Sequence, residues 1–184
     1  MAETGPRKYG VSFDIKPHAF DPAATPELFD GVLARRVIAF VIDMLIVGAP
    51  IVFIALFIFV FGVVTFGLGW ALYVLLYPAA ILWGLFYFGF TLGGPFSATI
   101  GMRLMDIEMR TWYGAPAYFV LGAVHVVIYW ITVSVFTPLI LLVGLFNDRR
   151  RLLHDFLLGT VIINNPYRAE AIRRSGWRGS GARP

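Results

Sequence analysis

Cysteine is missing from all 184 residues. That excludes disulfides, thiolate-held zinc, iron–sulfur clusters, covalently attached c-type haem and thiol nucleophiles. Charge is scarce as well: Asp, Glu, Lys and Arg make up 14% of the chain, against about 25% in an average soluble domain. No glycine-rich phosphate loop, nucleophile elbow or paired-carboxylate signature is present, so no enzymatic activity and no cofactor are expected. Solenoid-period repeats are missing too. What is abundant is apolar: 59% of residues, with 16% aromatic and a mean hydropathy of +0.77. Such a chain is neither disordered nor an ordinary soluble globule. It has the composition of a small, single-domain integral membrane protein.

Residues 37–102 hold one charged side chain, Asp43. Two 25-residue spans fit inside, 37–61 and 68–92. At ~1.5 Å per residue each reaches ~37 Å, enough to cross a ~30 Å hydrocarbon core. The glycine-bounded, uncharged link 62–67 suits a tight hairpin. Arg7, Lys8, Lys16, Arg35 and Arg36 precede the first span, Arg103 and Arg110 follow the second, and eight arginines lie beyond Phe146. The positive-inside rule therefore places both termini and the middle segment in the cytoplasm. The basic excess also suits anionic lipid headgroups. No basic domain interleaved with aromatics is present, so nucleic acid is not an expected partner.

Residues 118–146 form a third apolar stretch whose sole ionisable group is His125. Both its ends carry cytoplasmic signals, yet two full spans need ~40 residues. Proline breaks helix hydrogen bonding at Thr137-Pro138. A helix to about Phe136 followed by a shorter re-entrant piece resolves the conflict, and a straight third span is the alternative. The expected fold is an all-α membrane protein: a transmembrane helical hairpin, a Pro-broken third segment, and a small cytoplasmic β element. That element comes from residues 105–110, which alternate apolar and polar, and from the β-branched run 160–163. Residues 1–30 form a polar cytoplasmic segment without the apolar centre of a signal peptide, so the first span is expected to stay as an anchor. Residues 31–164 form the membrane domain. Residues 165–184, rich in Arg, Gly and Ser, are expected to be a disordered basic cytoplasmic tail.

Few residues can carry chemistry. Arg36, Ala39 and Asp43 share one helix face, with the carboxylate ~10 Å deeper than the guanidinium. A charged aspartate mid-helix costs ~2.5–3.5 kcal/mol and must face protein, water or a partner. Asp43 is either a proton or cation site or a staple between helices. Pro50 leaves the carbonyl near Ile46 without its usual donor. His125 is either a packing residue or a partner of Asp43. The tyrosines and tryptophans read as interfacial belt and packing residues. Ala80/Gly84 and Gly89/Gly93 are small-residue pairs that allow close helix approach. In residues 146–155, Asp148, Arg149, Arg150, Arg151, His154 and Asp155 form either solvated interfacial charge or a structured ion-pair cluster. His154 and Asp155 alone do not make a metal site, since adjacent side chains diverge and no second histidine follows at ligand spacing. If the two strands pair, Arg103 and Asp155 meet at one edge. Asp155 is then expected to bind Arg103 or Arg36.

These residues resemble the RDD family of small bacterial membrane proteins, named for one arginine and two aspartates. Arg36-x-x-Ala39-x-x-Ile42-Asp43 resembles its first element, and Gly101-Met102-Arg103-Leu104-Met105 its middle element. Asp148 through Leu153, then His154-Asp155-x-x-x-Gly159-Thr160, resembles the closing element, with Asp155 as the second aspartate. The resemblance implies a multi-pass protein of the bacterial inner membrane. It also implies transport of ions or small solutes, with proton/cation exchange through Asp43 as the concrete form. The alternative is a non-catalytic accessory or assembly subunit. Expected partners are the lipid bilayer and a homo-oligomer or larger membrane complex.

Overall fold

The computed structural model describes residues 18–136, 146 and 148–175. Helix α1 runs over Val32–Val64, longer at both ends than the apolar run 37–61. Backbone hydrogen bonding, not hydropathy, sets its limits. Gly31 takes a left-handed φ of 65° and starts the helix, so Arg35 and Arg36 lie on its first turns. Pro50 is accommodated without ending it. At the far end Phe66 and Gly67 both turn left-handed, with φ of 52° and 97°. Gly62 is required there because a Cβ would run into the Trp70 indole.

A 3-10 turn over Leu68–Leu72 leads into α2, Tyr73–Leu92. Pro26–Val64 and Leu68–Leu92 are each long and apolar enough to cross a membrane. Their flanks are bare: Phe53 is 72% exposed and Val74 77%. An apolar surface of this extent needs an apolar solvent around it.

Aromatic donors tie the 3-10 turn and α2 to α1. Trp70 Nε1 donates to the carbonyl of Phe59 at 3.2 Å, the Tyr73 hydroxyl to that of Ala55 at 2.8 Å, and Trp83 Nε1 to that of Val47 at 3.3 Å. The hydroxyl of Tyr87 completes the series on the carboxylate of Asp43 at 2.6 Å. The acceptors follow α1 at multiples of four residues, one stripe of the helix. These side chains do more than form an interfacial belt.

Helix α3, Ile100–Leu104, starts at Thr99, whose hydroxyl caps the N–H of Met102 at 3.0 Å. Strand β1, Ile107–Thr111, pairs antiparallel with β2, Thr160–Asn164, with Ile107 opposite Asn164 and Thr111 opposite Thr160. The expected strand pair is therefore present, shifted by one or two residues. Between the strands lie α4, Phe119–Phe136, and α5, Leu153–Leu158. Helix α4 packs on α2 through small residues. Gly89, Gly93 and Gly122 leave no room for a Cβ, the first two against Phe119 and the third against Leu92 and the Phe88 carbonyl. Of the two small-residue pairs, Gly89/Gly93 is thus the one used; Gly84 faces open space. The expected break at Thr137-Pro138 lies outside the described residues.

The core gathers where α1, α2, α3 and the sheet meet, around Val32, Ala39, Leu92, Met102, Ile107 and Met109. A second cluster, Phe29, Val161 and Ile163, is covered by Phe20 and Leu28. One expectation needs correcting. Residues 165–184 are not wholly without order, because Pro166–Arg174 forms a further helix, α6. The Asn165 side chain accepts from the N–H of Arg168 at 2.8 Å, Pro166 fixes the first turn, and Ala169 and Ile172 are buried.

Candidate functional site

Helix α1 carries two buried charges two turns apart, and each fastens a different part of the chain. Asp43 faces α2 and α3. Its Oδ1 accepts from the Tyr87 hydroxyl at 2.6 Å and from the N–H of Gly101 at 2.9 Å; its Oδ2 accepts from the Thr99 hydroxyl at 2.6 Å. Three donors satisfy most of the carboxylate's lone pairs, and the residue is 3% exposed. The approach is close because Gly101 has no side chain: a Cβ would meet the Ala39 carbonyl and lie 3.0 Å from Cγ of Asp43.

Arg36 faces the opposite partner. Its Nη2 contacts Oδ2 of Asp155 at 2.6 Å, with side-chain exposures of 7% and 0%, and its Nη1 donates to the Arg150 carbonyl at 3.1 Å. Asp155 sits in the first turn of α5, where Oδ2 also accepts from the N–H of Leu152 at 2.9 Å. Its Oδ1 has the Thr160 hydroxyl at 3.3 Å. Burial alone would push the Asp155 carboxyl up. Arg36, then the two histidines and the Leu152 N–H, hold it well below the usual carboxylate range. Arg151, 2% exposed, braces the backbone of the same element. It donates to the carbonyls of Thr160 at 2.8 Å and Asp155 at 2.7 Å, and its guanidinium lies over Phe156 at 4.2 Å and Trp112 at 4.8 Å.

The two alternatives for Asp155 thus separate cleanly. Arg36 is the partner, whereas Arg103 donates to the Ala98 carbonyl at 3.1 Å and lies over the Phe96 ring at 4.5 Å. His125 meets Asp155, not Asp43: its Nε2 is 3.9 Å from Oδ1. His154 Nε2 lies 3.6 Å from the same oxygen. Burial pushes the His154 imidazole down to about 3 against the pull of Asp155, so it is neutral. Asp148 is exposed.

Sequence reasoning passed over Thr99 and Asn164, read Tyr87 only as a belt and packing residue, and placed Arg151 in the charge cluster without its backbone partners. Asn164 Nδ2 donates to the carbonyls of Glu27 at 2.8 Å and Asp30 at 2.9 Å, tying β2 to the entry of α1. The cap position of Thr99 ahead of Gly101 was its one local signal. The others depend on contacts across 44 residues or more, or on carbonyls that carry no sequence signature.

A cavity of about 460 Å³ opens between α1 and α4. Its walls are mostly apolar, with Arg36, Asp43, Thr99, Tyr129 and both histidines reaching it. Phe40 and Tyr129 meet across it with ring centroids 5.6 Å apart.

An apolar two-helix hairpin, closed by a compact polar element that grips the first helix through buried charges, defines a helical membrane protein. Residues 31–159 match the RDD family, and the chain belongs to that family. Comparison with curated proteins and with solved structures gives no match. Within this match, Asp43 fastens α1 to α2 and α3, and the Arg36–Asp155 pair fastens it to α5.

Proposed function

We propose that the chain moves ions or small solutes across a bilayer, with the cavity between α1 and α4 as its binding chamber. The observation that carries this reading is the convergence of Arg36, Asp43 and two histidines on one apolar-walled chamber beside the hairpin. Ionisable groups at membrane depth are costly and mark ion or solute pathways by default. In this reading Asp43 is the exchanging carboxylate, and Tyr87 and Thr99 are its switchable donors. The membrane is the bacterial inner membrane, crossed more than once, with both termini in the cytoplasm where the arginines lie.

Three donors on Asp43 favour a second reading, a non-catalytic accessory or assembly subunit whose buried charges only hold the fold. Flux in proteoliposomes separates the two. Wild type should exchange cations against a proton gradient, and Asp43→Asn should not, while both insert equally well. Equal flux in the two proteins at every pH removes Asp43 as the carrier; no flux from wild type leaves the accessory reading. Reporter fusions at Val64 and at the C-terminus test the orientation; a periplasmic signal from the C-terminal fusion reverses it.

A further inference from the structure

His125, His154 and Asp155 are 29 and one residues apart in sequence, and the fold brings them to one point. One ligating atom from each lies within 4.8 Å of the other two, and all three residues are buried. Both imidazoles present Nε2 to the same atom, Oδ1 of Asp155, at 3.9 and 3.6 Å. The rings stand edge to face, with centroids 4.8 Å apart and planes at 86°. We propose that His125, His154 and Asp155 form a binding site for one divalent transition-metal ion of the zinc, cobalt or nickel type.

The distances fit that use. Ligand atoms ~2.1 Å from a tetrahedral ion stand ~3.4 Å from one another. The two Nε2-to-Oδ1 separations need to close by only a few tenths of an ångström, and the wider spread between the two imidazoles, up to 4.8 Å, by about 1.4 Å through turning of the rings. Two imidazoles and a carboxylate suit ions of this class, whereas magnesium and calcium prefer all-oxygen shells.

The carboxylate is divided between two tasks. Oδ2 is engaged by Arg36 and by the Leu152 N–H. Among the described residues Oδ1 has, besides the two histidines, the long 3.3 Å contact to the Thr160 hydroxyl. Arg36 and Arg151 are opposing charges next to the site. The ion must therefore be one that neutral nitrogen donors hold strongly, not one held by charge alone.

Among the described residues, Nδ1 of His125 and Nδ1 of His154 are both buried without a hydrogen-bond partner. Bound through Nε2, each ring would carry its proton on Nδ1, so the ion is held without the outer-shell acceptor that ligating histidines usually have. Both histidines also line the cavity, so the fourth position faces that space and can take water. Such a site has the form of one that exchanges its ion rather than one sealed for structure. The inference stands apart from the transport reading, because binding is measured on solubilised protein without flux.

The test uses the full chain carrying no histidine tag, purified in detergent, stripped with a chelator and titrated with cobalt(II). Wild type should develop visible d–d absorption saturating at one ion per chain, with zinc displacing the cobalt and magnesium failing to. His125→Phe and His154→Gln should each weaken binding at least ~10-fold, since losing even an outer-shell partner of a metal ligand costs 10–100-fold. His18→Gln, at the third histidine of the chain, should change nothing. Melting and size-exclusion profiles check each variant's fold; if His154→Gln does not fold, His125→Phe decides. No absorption in wild type, or equal uptake by wild type and a folded His125→Phe, overturns the site.

Discussion

The backbone N–H of Gly101 donates to Oδ1 of Asp43 at 2.9 Å, and only a glycine allows the two segments to come this close. Gly101→Ala places a methyl group against the Ala39 carbonyl and must push α3 off α1. Overpacking of this kind costs ~1–3 kcal/mol, and the displaced N–H leaves the aspartate short of a donor. The variant should melt lower than wild type in detergent. Tyr87→Phe, which removes one charge-assisted hydrogen bond without a clash, should cost ~1.5–3 kcal/mol. An unchanged melting temperature in both would show that Asp43 does not hold α3 in place.

The Arg36–Asp155 pair is buried on both sides, so breaking it strands a charge. Asp155→Asn and Arg36→Gln should each destabilise by ~3–5 kcal/mol. In a double-mutant cycle the two losses should be strongly non-additive. The same cycle with Arg103→Gln should be additive, because Arg103 bonds to Ala98 instead. Coupling to Arg103 of similar size would contradict the observed pairing.

His18 gives the fold a pH dependence outside the membrane segments. Its ring meets Trp112 edge-on, with centroids 4.2 Å apart, and its Nδ1 accepts from the N–H of Phe20 at 3.0 Å. Burial, then Arg149 and Arg151, lower it from 6.5 to about 4. Between those values the unfolded chain binds more protons than the folded one. Stability should therefore be level above pH 6.5 and fall as the pH drops from there towards 4. His18→Phe keeps the ring contact and should make that slope shallower in a melting series across the window, the share of His154 remaining.

Asn164 is fully buried and bridges two carbonyls that precede α1. Asn164→Ala leaves both without that donor and should cost ~2–4 kcal/mol, from two hydrogen bonds at ~1–2 kcal/mol each. Proteolysis near residues 25–31 should speed up in parallel. Equal cleavage rates in the two proteins would mean that the α1 entry is held by other contacts.

The hairpin was legible because membrane solvation writes itself into consecutive residues: one charge in residues 37–102 leaves little else possible. The strand pair was legible for a similar reason, since alternation at 105–110 and β-branching at 160–163 are local properties. Arg36 and Asp155 were legible as charges, but their pairing required knowing that β1 and β2 bring α5 under α1. His125 carried no mark of its destination, because nothing local distinguishes a packing histidine from one 3.9 Å from a distant carboxylate. The helix Pro166–Arg174 is different. Its start signal, Asn165 followed by Pro166, was present in the sequence, and the glycine- and arginine-rich residues after it masked a short ordered turn.

The stripe of aromatic donors from the 3-10 turn and α2 onto α1 has a mechanical consequence. Sliding α2 along α1 by one turn would break the bonds of Trp70, Tyr73, Trp83 and Tyr87 together. On its other side α2 is interlocked with α4 through glycines that admit no side chain. Helix α2 is thus the spine of an open book whose two covers are α1 and α4, and the chamber is the gutter between the pages. The covers cannot piston past each other; the motion left to them is to swing about the spine, with Phe40 and Tyr129 as the clasp at the fore-edge.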